Sequence, residues 1–237
     1  MIKFIRFPDL TLANEDGLLA SGGDLTPDTL VSAYAQGLFP WFNHDQPILW
    51  WSPDPRLVLY PADFKTSRSL QKKIRAQKFT FSCDREFSQV VNACALRGAT
   101  EHAVAPLDTW ISESMQAAYQ RLHKSGYAHS IEVWQRNELV GGLYGVVLGK
   151  VFFGESMFSH VSDASKLALR ALCDYLVKNK FEVIDCQVAS NHLFSLGAQE
   201  IPRSDFVQKL SNLDIQQIPH DFANEFPATI AAQTPKT

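Results

Sequence analysis

The stretch from His129 to Val188 constrains this chain more than any other. It runs HSIEVWQ, a polar turn at Arg136–Asn137, ELVGGLYGVVLG and KVFFGES, and then ASKLALRALCDYLVKN and FEVIDCQV. The first three segments are rich in β-branched and aromatic residues and read as strands, the first two joined as a hairpin. The fourth carries apolar residues at helical spacing, and the last is a short apolar strand. A hairpin or meander followed by a helix and a further strand predicts a mixed α/β (α+β) fold around a central, largely antiparallel sheet.

Upstream, TPDTLVSAYAQG predicts a helix capped by Thr26, with Pro27 in its first turn and Gly37 at its end. FPWF and ILWWSPDPR follow, and their prolines restrict them to loop and short strand, with a domain boundary near Asp54–Leu57. Lys65 to Ala76 reads as a basic helix, FTFS as a strand, and CDREFSQVVNACA and SESMQAAYQRLHKSG as helices, the second ended by Gly126. The tail after Pro219 is expected to be loose.

A chain of 237 residues can form one large domain or two smaller ones sharing a core. A formal charge of −3 argues against a surface coated in basic residues and leaves room for a local basic patch. No apolar run approaches the roughly 18–20 residues of a membrane span, and MIKFIRFPDL is too short and interrupted for a signal peptide. The four cysteines form no CxxC pair, which fits a reducing cytoplasm better than a zinc site. The seven histidines show no metal-binding spacing, and His129 and His192 read as structural hydrogen-bonders.

Three aromatic clusters stand out: Trp41 with Phe42, Trp50 with Trp51, and Phe152, Phe153, Met157 and Phe158 around GES. Ordinary core packing explains any one of them, but large aromatics in proline-containing loops also wall ligand sites. GESMF lacks the final glycine of a nucleophile elbow, so Ser156 is a poor candidate nucleophile. Gly22–Gly23 lacks the phosphate-loop pattern and reads as a tight turn. In IDCQV, strict alternation puts Asp185 and Gln187 on one strand face and Cys186 on the other. An acid and an amide on an apolar strand need either structural partners or a ligand.

Taken together, FPWF, ILWWSPDPR, HSIEVW, FGESMFS, ASKLAL, IDCQV and SLGAQEIPR resemble the bacterial leucyl/phenylalanyl-tRNA–protein transferases, over nearly the whole chain. The resemblance implies a small N-terminal domain (1–55) and a larger GNAT-like acyltransferase domain (56–237). It implies transfer of Leu or Phe, and less readily Met, from aminoacyl-tRNA to proteins beginning with Arg or Lys. The product is an N-degron for proteolysis. It also implies no metal or organic cofactor; the residues themselves point to no membrane association and a cytoplasmic location, and a monomer is the expectation although the sequence does not decide it.

By position, the resemblance assigns Trp41 and Trp110 to the tRNA 3′-adenosine and Phe152, Met157, Ser159, Ile184 and Leu143 to the donor side-chain pocket. It assigns Glu155, Asp185 and Gln187 to the reaction centre. Leu143 stands where the family has Met, and Leu172 and Leu176 stand where it has Phe. RGATEHAVAPLDTW is longer than expected before Trp110.

An aminoacyl ester is already activated, so the enzyme needs no covalent nucleophile and must instead position amine and ester and take up a proton. Asp185 is the candidate base or electrostatic group, and Gln187 its orienting partner, too weakly basic to deprotonate the amine itself. A shuttle through the terminal ribose hydroxyl is the alternative. Arg68, Lys72 and Arg75 share one helix face at i, i+4 and i+7, a solvated face by itself and a tRNA-binding face in this family. A CoA-dependent acyltransferase would need glycine at the start of the late helix, and FSHVSDASKLAL has none. A binding module without chemistry would explain the aromatics but not the acid–amide constellation.

Overall fold

The computed structural model describes residues 1–96, 111–211, 213–216 and 226–228. The expected loop before Trp110, Trp110 itself and most of the tail lie outside the described residues.

Ten strands, seven α-helices and two short 3-10 helices occur among the described residues. The N-terminal part holds β1 (Leu18–Ser21), α1 (Pro27–Ala35), β2 (Phe39–Pro40) and β3 (Leu49–Trp51). The strands form a small antiparallel sheet in the order β1-β3-β2. The remainder runs β4 (Arg56–Leu59), α2 (Arg68–Arg75), β5 (Thr80–Cys83), α3 (Phe87–Ala95) and α4 (Glu113–Lys124). Next come β6 (Ala128–Gln135), β7 (Glu138–Leu148), β8 (Val151–Ser159), α5 (Ala164–Lys178) and β9 (Val183–Gln187). The chain then adds α6 (Asn191–Ser195), β10 (Gln199–Ile201) and α7 (Arg203–Leu210).

These later strands form a seven-stranded sheet in the order β10-β4-β9-β8-β7-β6-β5. Every neighbouring pair is antiparallel except β8 and β9, which the α5 crossover makes parallel. The mixed, largely antiparallel sheet expected from the sequence is thus present. No helix among the described residues is long and apolar enough to cross a membrane.

Local chemistry explains the element ends. Thr26 Oγ1 accepts from Thr29 N at the start of α1, and Gly37, at φ 82°, closes its end. Arg136 and Asn137 both adopt positive φ, as a tight two-residue hairpin turn requires. The basic helix begins at Arg68 rather than Lys65, because Ser67 Oγ accepts from Leu70 N and sets the cap.

The large sheet is covered on both faces. Leu167, Ala168, Ala171 and Leu172 of α5, with Leu70 and Ile74 of α2, pack against one face with Ile131, Leu143 and Phe152. Leu30, Val31 and Tyr34 of α1, Val90 and Val91 of α3, and Met115, Tyr119 and Leu122 of α4 share the other core with Tyr144 and Phe153. The N-terminal part therefore contributes to a core that it shares with the large sheet.

β8 and β9 pair only from Val151 with Val183 to Phe153 with Asp185. Beyond that point β8 continues along β7, and β9 continues along β4. The two strands part, and the site lies where they do.

Candidate active site

A cavity of about 520 Å³ opens at this parting. Its apolar wall includes Leu143, Phe152, Met157, Leu169, Leu172 and Ile184. Glu155 and Gln187 also line it, and their side chains meet: Gln187 Nε2 donates to Glu155 Oε1 at 3.3 Å. The volume and the mostly apolar lining with a few convergent polar groups are those of a small-molecule site.

Two β-bulges aim these polar residues. On β8, Gly154 pairs with Gly145 and Ser156 with Tyr144, so Glu155 is the extra residue. On β9, Asp185 pairs with Val58 and Gln187 with Leu57, so Cys186 is extra and Gln187 takes a left-handed φ of 61°. A bulge breaks strict alternation and re-aims the side chains around it. This corrects the expectation that Asp185 and Gln187 share a face. Cys186 and Gln187 both line the cavity, and Asp185 does not.

Asp185 is fully buried and bound by a fully buried partner. Arg56 Nε donates to Asp185 Oδ1 at 2.8 Å and Nη2 donates to Oδ2 at 2.7 Å. Asp185 Oδ1 also accepts from Gln187 N at 3.0 Å. Committed to these donors and shut off from the cavity, its carboxylate is placed to orient Gln187. The sequence suggests an electrostatic or base role for Asp185 with Gln187 as its orienting partner; the structure places the Asp185 carboxylate off the cavity lining and Gln187 on it.

Glu155 is held differently. Tyr34 of α1 donates to its Oε1 at 2.8 Å and Tyr119 of α4 to its Oε2 at 2.5 Å, while the two tyrosine hydroxyls lie 2.8 Å apart. Burial pushes the Glu155 carboxyl up to about 7, against the tyrosine hydrogen bonds, which favour the carboxylate. The nearby Asp185 charge adds to the rise, and Arg56 opposes it. Burial and the Glu155 charge hold the Tyr34 and Tyr119 hydroxyls well above their ordinary range, so both stay protonated.

Proton counting agrees with the shift. When Glu155 is ionised, both tyrosine protons point at it and the Tyr34–Tyr119 contact has no proton. When it is neutral, three protons serve three contacts. A carboxyl near 7 in a cleft is suited to taking and returning protons at neutral pH.

A family model described as leucyl/phenylalanyl-tRNA protein transferase matches residues 58–211, and the model of that family's N-terminal domain matches residues 23–54. The chain belongs to this family. A leucyl/phenylalanyl-tRNA–protein transferase of Nitrosospira multiformis is 54% identical over 209 residues, covering 87% of this chain and 88% of that protein. One of Cellvibrio japonicus is 52% identical over 220 residues, covering 92% and 91%. Among solved structures, a GCN5-related N-acetyltransferase from Kribbella flavida gives a TM-score of 0.33 at 12% identity, over 73% of this chain and 60% of that one. The C-terminal domain of a putative lysylphosphatidylglycerol synthetase from Agrobacterium fabrum gives 0.39 at 14% identity, over 72% of this chain and 55% of that one.

Within the transferase chain, the residues expected at the site distribute as follows. Glu155, Gln187, Phe152, Met157, Ile184 and Leu143 come together around the cavity, as does Leu172. Leu176 is buried in the adjoining core instead. Ser159 is exposed and stands off the cavity; its Oγ accepts from Ser165 N at 2.8 Å in the first turn of α5. Trp41 is 43% exposed and also off the cavity lining, with its ring 5.8 Å from that of Trp51. Trp110 lies outside the described residues. Arg68, Lys72 and Arg75 are exposed along α2, opposite the buried Leu70 and Ile74.

Three residues of the site were missed in the sequence: Tyr34, Tyr119 and Arg56. Each reaches its partner across 36 to 129 positions, so no local motif signals it. Tyr144 also lines the cavity, and its buried hydroxyl has no hydrogen-bond partner among the described residues.

Proposed function

We propose that this chain transfers Leu or Phe, and less readily Met, from aminoacyl-tRNA to the N-terminal amine of proteins that begin with Arg or Lys. The product would be an N-degron. The observation that carries this reading is the apolar cavity with a carboxyl near 7 at its one bulged acid, Glu155. Membership of the leucyl/phenylalanyl-tRNA–protein transferase family supports it. In the same reading, residues 1–55 form the small domain and 56–237 the catalytic domain of a cytoplasmic monomer.

The donor's side chain occupies the apolar wall formed by Leu143, Phe152, Met157, Leu172 and Ile184. Such a wall favours large apolar groups, though one methylene is worth only about 1–3 kcal/mol, so shape must separate Leu from Ile or Val. The acceptor amine approaches Glu155, and the Gln187 amide helps to orient it. The amine lone pair forms the new C–N bond with the ester carbonyl carbon, and the C–O bond to the ribose breaks. The proton shed by nitrogen passes to the Glu155 carboxylate and from there to the departing ribose oxygen. An ordinary α-amine titrates at about 7.7–8.0, so roughly a tenth or more of it is neutral and able to attack at pH 7.

Glu155 also supplies negative potential for an acceptor with a basic first residue. Asp185 offers little, because Arg56 offsets its charge at 2.7 Å.

The direct test incubates charged leucyl-tRNA with peptides beginning with Arg, Lys or Ala and looks by mass spectrometry for one added leucine. Addition to the first two alone is expected; no addition to any would sink the reading.

The exposed face of α2 is the proposed contact for the tRNA backbone. Lys73, in the same helix, is tied to Asp163 at 2.7 Å beside the start of α5, which fixes α2 against the catalytic core. Replacing Arg68 and Lys72 together with Ala is expected to weaken aminoacyl-tRNA binding and to flatten the log–log salt dependence by roughly 1–2 units of slope. Filter binding across a salt series measures this, and an unchanged slope would exclude the patch.

A further inference from the structure

The Arg56–Asp185 pair is costly by itself. Both side chains are fully buried, and the guanidinium lies between the rings of Phe39 and Phe206, at 4.8 and 4.7 Å from their centroids. Arg56 Nη1 has no hydrogen-bond partner among the described residues. Burying two charges usually costs about as much as their attraction returns, and apolar residues of similar size often serve stability as well. The pair therefore calls for an explanation other than stability, and its hydrogen bonds supply one.

Asp185 Oδ1 takes Arg56 Nε at 2.8 Å and Gln187 N at 3.0 Å. The second bond closes the turn in which Gln187 adopts φ 61°, a conformation that a residue with a side chain adopts at a cost. That turn is what sends Gln187 Nε2 to Glu155. The two-point hold of Arg56 fixes the rotation of the Asp185 carboxylate, so one oxygen is always presented to Gln187 N.

We infer that Arg56 is a positioning residue for the transfer, fixing through Asp185 the left-handed turn that carries the Gln187 amide to Glu155. Arg56 touches neither donor nor acceptor. The inference rests on the transfer reading above for its kinetic consequence, but not for its geometry.

The test uses the full chain. Arg56→Met/Asp185→Leu removes both charges and fills their space, so it is expected to fold with a urea midpoint near that of the parent. Its KM for leucyl-tRNA should stay within about twofold, while its single-turnover rate falls about ten- to a hundredfold, as expected of a catalytic group displaced by an ångström. Gln187→Ala should show the same split, and adding Gln187→Ala to the apolar pair should slow it no further. A full rate in the apolar pair, or losses that multiply in the triple variant, overturns the inference.

Arg56→Lys provides a second route should the apolar pair not fold, because it keeps the charge and loses the two-point hold. The side-chain amide resonance of Gln187, assigned by its loss in Gln187→Ala, should then move towards that of a free amide. An unmoved resonance also overturns the inference. If the parent chain adds no leucine to any peptide and the resonance still moves, the transfer reading fails and the positioning role stands.

Discussion

Replacing Glu155 with Gln is expected to abolish most of the transfer activity and at the same time to stabilise the protein above neutral pH. The activity loss follows from removing a cavity carboxyl that can hold a proton near pH 7, the only one among the described lining residues. A general base contributes about 10²–10⁴-fold, so single-turnover rates should fall by that order. The parent's rate should rise with pH through about 7, as Glu155 ionises. In the variant that limb should vanish, leaving only the titration of the acceptor amine. A pH profile that keeps its midpoint in Glu155→Gln would remove Glu155 from the reaction.

The stability gain has a defined pH window. The carboxyl lies at about 7 in the folded chain against an ordinary 4.5. Below 4.5 it is neutral in both states and costs nothing. Between the two values the unfolded chain ionises while the folded chain does not, so folding weakens as pH rises. Above 7 the loss levels off at up to roughly 3 kcal/mol, less what water in the cavity screens. Glu155→Gln should therefore melt with the parent at pH 4.5 and above it at pH 8. Parallel melting curves at both pH values would contradict the burial argument.

The second large effect concerns Asp185. Replacing it with Ala is expected to cost about 3–5 kcal/mol, because Arg56 is left charged, buried and without its partner. Urea denaturation should show this loss, and any fall in activity would then reflect a damaged fold. Gln187→Ala, which leaves the ion pair intact, is expected to keep its midpoint within about 1 kcal/mol, as most partly exposed substitutions do. Equal stabilities for the two variants would mean that Arg56, deprived of Asp185, is not left as a buried unpaired charge.

These expectations show where the sequence is legible and where it is not. The strand–turn–strand around Arg136–Asn137 and the helix capped by Thr26 follow from short-range chemistry that the sequence displays directly. The apolar wall comes from the resemblance by position, and Phe152 and Ile184 prove to be register partners within the parallel pair. Alternation failed at Gln187, since one inserted residue reverses the face of all that follows and nothing in IDCQV marks the insertion. Tyr34 and Tyr119 stand in helices that carry no motif around them, and both are fully buried. Only the fold brings their hydroxyls to Glu155. Ser159 lay close to the cavity residues in sequence, but the strand carries it past the cavity to the first turn of α5.

The shared core has a consequence for how this chain could be divided. Every described residue lining the cavity comes after residue 56, yet the acid and its supports do not stand on that part alone. The N-terminal part supplies Tyr34, one of two hydroxyls grasping the acid, and Phe39, one of two rings enclosing the guanidinium. The first fifty-odd residues thus complete the chemistry from outside the chamber, and the core they share with the large sheet ties the two parts into one working unit.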